Sequence, residues 1–219
     1  MKVGFVGIGL MGLPMASRII KAGHQVYIYS KNKISKNKLL SLGAIAEDSI
    51  ISVANKSEIF CNCRVTDEHS KDVFIGKAGV INSKNKPKIC IDFATINPKV
   101  SIKISSLLKN AKISFLDAPV SGGPDAAENG SLSIIIGGDL KTVNVAKQLF
   151  KILGNNIFHM GDVGTGVTSK LCNNLISITT HALIAEAMIL GKKSGIDSNK
   201  LYEVIRNSSG YSKTLDRVV

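Results

Sequence analysis

The stretch Lys2-Val3-Gly4-Phe5-Val6-Gly7-Ile8-Gly9-Leu10-Met11-Gly12 decides the fold of this chain. A short apolar run leads into three glycines at G-x-G-x-x-G spacing, and a helix-prone segment follows over residues 11–22. Strand, turn and helix in this order are the context of a dinucleotide-binding fingerprint. Gly7 would permit the tight turn, Gly9 would let a pyrophosphate approach the backbone, and Gly12 would let the helix lie close to the sheet. The competing interpretation is a glycine-rich turn that binds nothing.

The cofactor-binding residues predicted from this turn are Gly7, Gly9, Leu10, Met11 and Gly12. Amide groups at the start of a helix attract phosphate charge. The second predicted strand ends at Ser30 and Lys31, where an acidic residue would hold the ribose of NAD. A hydroxyl and an ammonium group suit the 2′-phosphate of NADP instead. Ser30 and Lys31 therefore predict NADP in preference to NAD, unless Lys31 is only a solvated turn lysine.

The composition is that of a globular protein with a basic surface. The chain has 219 residues, 44% of them hydrophobic, and a net charge of +12. Basic surfaces bind nucleic acid nonspecifically, but no stacking aromatics accompany the lysines, so we expect no specific nucleic-acid partner. No uninterrupted apolar run predicts a membrane span, and the first residues already form a strand, which leaves no room for a leader. Four cysteines without a C-x-x-C pair and four scattered histidines predict reduced thiols in the cytoplasm and no metal site.

Strand-like and helical runs alternate as far as a glycine-rich break at 161–166. The strand-like runs are 3–7, 25–30, 58–62, 88–92, 114–117, 132–136 and 156–159. The helical runs between them include 98–110 and 140–153. This alternation predicts an α/β fold with a Rossmann-type doubly wound, mostly parallel sheet.

After the break, a long helix is predicted at 167–194 and another at 201–207. The apolar residues of the long helix cover more than one face, so we expect partners to bury it. We therefore predict an NAD(P)-binding domain at 1–162, and at 163–219 a long interdomain helix with the beginning of an all-helical domain.

Two further segments follow predicted strands, at the edge of the sheet where ligands bind. Thr95 could bind cofactor or substrate through its hydroxyl, or it could belong to a helix cap with Asn97 and Pro98. Ser121-Gly122-Gly123 supplies a hydroxyl and backbone amides, which can hold a carboxylate. A tight loop without a ligand would use the same residues.

The long predicted helix carries Lys170, with Asn173 and Asn174 three and four positions later on the same side. Burial near the amino end of a helix disfavours the charged amine and lowers the pKa of a lysine toward acid–base use. The alternative is a lysine whose charged end reaches solvent. The residues alone leave both interpretations open.

Taken together, these motifs resemble the β-hydroxyacid dehydrogenase family over essentially all 219 residues. The matching segments are Gly-Ile-Gly-Leu-Met-Gly-Leu-Pro-Met-Ala (7–16), Asp-Ala-Pro-Val-Ser-Gly-Gly (117–123), Gly-Thr-Gly (164–166), Lys-Leu-Cys-Asn-Asn (170–174), Ala-Glu-Ala-Met (185–188) and Asn-Ser-Ser-Gly (207–210). The resemblance implies an NAD(P)-dependent oxidoreductase that interconverts a small 3-hydroxy acid and its semialdehyde. It also implies a homo-oligomer.

The resemblance assigns roles to individual residues. Lys170 matches the catalytic lysine of the family, and Asn173 and Asn174 match amides beside the substrate. Ser121-Gly122-Gly123 matches the clamp for the substrate carboxylate, and Thr95 matches a hydroxyl residue near the nicotinamide. These roles are what the family implies, and they go beyond what the spacing of the residues shows.

Three departures from the family pattern bear on these expectations. NAD-preferring members often have Asp where this chain has Ser30, and the usual Leu-Pro pair is replaced by Cys63-Arg64-Val65. We therefore expect a different loop near the cofactor. Members also continue for several helices beyond the position of Val219, and that part helps to close the substrate pocket.

The resemblance leaves the substrate open. Candidates are 3-hydroxyisobutyrate, tartronate semialdehyde, and succinic or glyoxylic semialdehyde. A function of another class, a noncatalytic basic nucleotide-binding module, also stays open.

Overall fold

Nine strands form one mostly parallel sheet in the computed structural model, which describes residues 1–219. The strands are β1 (Lys2–Val6), β2 (Gln25–Tyr29), β3 (Ile45–Ala46), β4 (Ile59–Asn62), β5 (Ile89–Asp92), β6 (Ser114–Asp117), β7 (Val120–Ser121), β8 (Leu132–Gly137) and β9 (Gly154–Gly161). Their order is β3-β2-β1-β4-β5-β6-β8-β7, with β9 paired to β8. The first six positions are parallel and follow the Rossmann order, in which the order of the strands reverses between β1 and β4. The predicted α/β, doubly wound, mostly parallel sheet is confirmed.

Ten α-helices accompany the sheet. They are α1 (Gly12–Lys21), α2 (Lys33–Ser41), α3 (Ile50–Lys56), α4 (Asp67–Ile75), α5 (Pro98–Asn110), α6 (Gly123–Asn129), α7 (Leu140–Leu153), α8 (Thr165–Lys193), α9 (Ser198–Arg206) and α10 (Leu215–Val218). A 3₁₀ turn covers Val80–Asn82.

Both faces of the sheet are covered by apolar side chains, which is why its strands read as apolar runs. On one face Phe5 packs in a buried cluster with Ile19 of α1 and Phe150 of α7. On the other face Phe60 packs with Phe74 of α4 and Ile104 of α5. The crossover helices therefore lie on both sides, as a doubly wound sheet requires.

Local signals account for the helix ends. Asn97 caps α5 through Lys99 N, with Pro98 in the first turn, and the Asp139 carboxylate caps α7 through Thr142 N. α7 buries residues three, four and seven positions apart, which is the stripe expected of a helix lying on a sheet. The helices predicted at 98–110 and 140–153 coincide with α5 and α7.

By its internal contacts the chain divides into two units, Met1–Lys170 and Leu171–Val219. The first contains the whole sheet. In the second, Gly191 leaves room for Leu201, because a Cβ there would lie 2.2 Å from the Leu201 Cδ2. The hydroxyls of Tyr202 and Tyr211 donate to the Asp216 carboxylate, which joins α9 to α10. The domain boundary predicted between 162 and 163 stays a prediction.

The part of α8 in the second unit exposes many large apolar side chains. They are Leu171, Leu175, Ile176, Ile178, Leu183, Ile189 and Leu190. By length and composition α8 could span a membrane, a criterion that the core helices of soluble proteins also meet. Its burial by partners stays a prediction.

Candidate active site

The glycine turn lies at the carboxyl end of β1, and each of its glycines has a separate structural reason. Gly7 has φ +82°, and a Cβ there would lie 2.5 Å from the Cys63 carbonyl carbon and 2.7 Å from Arg64 N. A Cβ on Gly12 would lie 2.1 Å from the Gly7 carbonyl oxygen. A Cβ on Gly9 would meet nothing within 4 Å. The fold therefore requires Gly7 and Gly12, whereas Gly9 leaves open space above the backbone.

The amino end of α1 is suited to an anion. No side chain caps its first turn, whereas α2, α3, α4, α5, α7 and α9 each have a side-chain cap. Leu10 is 77% exposed and Met11 is half-buried at this helix start. Uncapped amides beside an exposed glycine can receive a pyrophosphate. The residues present thus fit the dinucleotide that the fingerprint implies.

A cavity of about 510 Å³ adjoins this turn at the carboxyl ends of β1, β2 and β4. Its lining includes Gly7, Ser30, Lys31 and Arg64. The Ser30 hydroxyl accepts a hydrogen bond from Asn32 N at 3.1 Å, while Lys31 is exposed. The structure therefore places Ser30 and Lys31 beside the glycine turn, and it adds Arg64, which the sequence did not suggest as a site residue.

A larger cavity of about 760 Å³ lies elsewhere, between α5 and the start of β6. Its lining includes Ser114 and Phe115, the first residues of β6. Ligands of doubly wound folds bind at the carboxyl ends of the strands. This cavity opens at the amino end of β6 and its lining includes no residue of the glycine turn, so we do not assign the dinucleotide to it.

A buried polar network supports the loops that follow β4 and β5. Asn62 Nδ2 donates to Asp92 Oδ1 at 2.9 Å, and Ala94 N donates to the same oxygen at 3.0 Å. Burial raises the pKa of Asp92 to about 7, against the opposing effect of hydrogen bonds from Ser70, Ala94 and Asn62. The second carboxyl oxygen has no partner and no exposure. Sequence patterns gave no sign of this network, because the strands that carry it are distant along the chain.

Thr95 follows this network directly. It is half-buried. Asn97 and Pro98 make the cap of α5 without it. The cap alternative for Thr95 therefore does not hold, and its role as a ligand-binding residue stays a prediction.

The predicted carboxylate clamp spans the end of β7 and the start of α6. Ser121 is half-buried and pairs with Ser133 across the antiparallel strands β7 and β8. Gly122 and Gly123 have φ of +131° and +76°, conformations that favour glycine. A Cβ on Gly122 would lie 2.5 Å from the Ala126 Cβ, whereas a Cβ on Gly123 would meet nothing within 4 Å.

Lys170 lies near the amino end of α8, and the first turn of this helix is held by a side chain of β6. Asp117 Oδ1 accepts from Gly164 N and Asp117 Oδ2 from Val167 N, each at 2.8 Å. Lys170 is half-buried, and burial lowers the pKa of its amine below the ordinary value. No carboxylate lies within 4.0 Å of Lys170 to restore its charge. The amine is thus biased toward the neutral form that accepts a proton.

Asn173 and Asn174 belong to the second unit. Asn173 is exposed and Asn174 is half-buried, on the same helix as Lys170. Their assignment to a substrate site stays a prediction.

Fold and glycine turn define the first unit as an NAD(P)-binding Rossmann-type domain. Residues 2–161 match the family model described as the NAD-binding domain of 6-phosphogluconate dehydrogenase. Residues 164–219 match the model described as the NAD-binding part of NADP-dependent 3-hydroxyisobutyrate dehydrogenase.

Individual relatives of the chain include 3-hydroxyisobutyrate dehydrogenases. The chain is 36% identical over 207 residues to a probable mitochondrial 3-hydroxyisobutyrate dehydrogenase of Dictyostelium discoideum, covering 94% of this chain and 64% of the relative. It is 35% identical over 208 residues to the 3-hydroxyisobutyrate dehydrogenase of Pseudomonas aeruginosa, covering 95% and 70%. The solved 3-hydroxyisobutyrate dehydrogenase of Mycobacterium tuberculosis with L-serine superposes with a TM-score of 0.89 at 26% identity, covering 97% of this chain and 72% of that one. The chain belongs to the β-hydroxyacid dehydrogenase family.

Proposed function

We propose that this protein is an NAD(P)-dependent oxidoreductase that interconverts a small 3-hydroxy acid and its semialdehyde. The observation that carries the proposal is Lys170, a half-buried amine of lowered pKa on a helix start that Asp117 fixes. The dinucleotide-binding domain and the family relatives support the same reaction. The chain spans 64% of the length of the first of these relatives.

In this proposal the protein binds the substrate, orients it and transfers a proton. Ser121, Gly122 and Gly123 hold the substrate carboxylate, and Asn173 and Asn174 position its polar groups. The Lys170 Nζ accepts the hydroxyl proton in oxidation and returns it in reduction. A bound nicotinamide supplies the hydride acceptor in oxidation and the hydride donor in reduction. Thr95 would contact the cofactor near its nicotinamide, and the residues of the glycine turn would hold the pyrophosphate.

We further propose that NADP is preferred to NAD, since Ser30 and Lys31 stand where an acidic residue would bind the NAD ribose. The protein acts in the cytoplasm as a homo-oligomer, with no membrane or specific nucleic-acid partner. Fluorescence anisotropy with labelled DNA at two salt concentrations tests the last point. Tight binding at the higher salt would favour the alternative of a basic nucleic-acid-binding module.

A substrate panel with both cofactors tests the reaction. 3-Hydroxyisobutyrate, L-serine and the reduction of tartronate, succinic and glyoxylic semialdehydes are compared with NADP(H) and NAD(H), following the absorbance of the reduced cofactor. We expect turnover of at least one 3-hydroxy acid or its semialdehyde. Binding of cofactor without turnover of any compound would contradict the proposal.

A further inference from the structure

We propose that Arg64 is a specificity-determining residue, which together with Lys31 binds the 2′-phosphate of an adenine dinucleotide. The inference rests on the proposed function only for the presence of a dinucleotide site. It names a residue of the loop after β4 that completes a site so far assigned to the end of β2.

The order of the strands brings Arg64 to the site. β1 pairs with both β2 and β4, so the residues that follow these three strands meet at one edge of the sheet. There Arg64 lines the cavity of about 510 Å³ together with Ser30 and Lys31. Ligands of doubly wound folds bind where the strand order reverses, which here is between β1 and β4.

The backbone of Arg64 is held firmly. Cys63 N donates to Val6 O at 2.9 Å, and Arg64 N donates to Asn62 Oδ1 at 3.2 Å. Asn62 is fully buried and donates to the Asp92 carboxyl group. Gly7 permits this approach, because a Cβ there would collide with the peptide between Cys63 and Arg64. The guanidinium group therefore extends from a fixed point beside the glycine turn.

The charges in the cavity favour a dianion. Neither Lys31 nor Arg64 has a carboxylate within 4.0 Å. The one acidic residue in the lining is Asp72, which is exposed. Guanidinium groups bind phosphate through two parallel hydrogen bonds, and an ammonium group adds a second positive charge. A phosphate monoester at this position would use both cations, whereas the free 2′-hydroxyl of NAD would need neither.

Calorimetric titration with adenosine 2′,5′-bisphosphate and with AMP tests the inference, because the two ligands differ only in the 2′-phosphate. We compare wild type with R64A, R64K and K31A, and with K33A as a matched control for a lost charge on the exposed start of α2. We expect R64A to weaken bisphosphate binding about ten-fold to a hundred-fold, the range for a charge-assisted hydrogen bond. AMP binding by R64A should change less than about two-fold. The affinity of R64K for the bisphosphate should lie between those of R64A and wild type, and K33A should match wild type.

Each contrary result of the titrations leads to a different conclusion. If R64A weakens both ligands equally, Arg64 contacts the adenine or the 5′-phosphate and the inference is wrong. If wild type binds AMP but gains nothing from the 2′-phosphate, the inference is wrong while the dehydrogenase proposal stands with NAD. If wild type binds neither ligand, the nucleotide site itself and the proposed function both fail. Circular dichroism of each variant shows that a loss of binding is not a loss of fold.

Discussion

The carboxylate of Asp117 accepts a 2.8 Å hydrogen bond from the backbone amide of Val167, although 50 positions separate the two residues. Its other oxygen accepts from Gly164 N. The carboxyl end of β6 thereby takes the place of a helix cap for α8. Ser121 follows Asp117 by one short loop and Lys170 follows Val167 by one helical turn, so both predicted reactive positions are tied to one carboxylate.

Replacing Asp117 should therefore destabilise the first unit. D117A leaves two buried amides without an acceptor, and we expect the free energy of unfolding to fall by about 2–5 kcal/mol. Chemical denaturation measures the change. The exposed acid Glu128 provides the control, and E128A should stay within about 0.5 kcal/mol of wild type. Equal stability of D117A and wild type would show that Asp117 does not hold α8.

Lys170 should be required for turnover and dispensable for cofactor binding. We expect K170A to lose about 10²–10⁴ in kcat, the usual cost of a missing general acid–base. K170R keeps the charge but cannot give up its proton near neutral pH, so it should be equally slow in oxidation. The exposed K147A should behave as wild type. Comparable kcat for K170A and wild type would remove Lys170 from the reaction.

The pH dependence of oxidation should identify the same amine. Burial lowers the pKa of Lys170, and the neutral amine is the base, so kcat/KM in oxidation should rise with pH through this lowered pKa. The rise should be absent from the residual activity of K170A. A profile that both proteins share would assign it to another group.

Substitutions at Gly9 and at Gly12 should affect different properties, cofactor affinity in the first case and stability in the second. A Cβ at Gly9 meets open space, while one at Gly12 would lie 2.1 Å from a carbonyl oxygen. G9A should fold with nearly wild-type stability and lose affinity for NADPH, because the methyl group occupies the approach of the pyrophosphate. G12A should lose about 1–3 kcal/mol by overpacking. Thermal unfolding and the fluorescence of bound NADPH measure the two effects, and wild-type affinity in G9A would place the dinucleotide elsewhere.

Asp92 should make stability depend on pH. Burial raises the pKa of Asp92 from 3.8 to about 7 in the folded protein, so the folded state keeps this proton where the unfolded chain has lost it. The contribution to stability is full below about 4 and declines as pH rises to about 7, by at most about 1.4 kcal/mol per pH unit. D92N imitates the protonated form. Its free energy of unfolding should fall less between pH 5 and pH 8 than that of wild type, and an identical fall would show that Asp92 is not the group responsible.

Much of the fold could be predicted because its signals are local. The glycine spacing at 7–12 and the caps at Asn97 and Asp139 each act within a few residues, so the turn and the helices α5 and α7 follow from short stretches of chain. The strands β3 and β7 were not predicted, because each has only two residues and exists through pairing with a neighbouring strand. Two residues are too few to show an alternating pattern.

By itself, the sequence determined that this protein has a doubly wound dinucleotide-binding fold, since apolar alternation and glycine spacing act through local backbone geometry. Only the tertiary structure decided that Arg64 lies beside Gly7 and that Asp117 caps α8. Those contacts depend on which strands become neighbours and which polar groups are buried together. Strand order and shared burial are properties of the folded chain as a whole, and no spacing along the sequence records them.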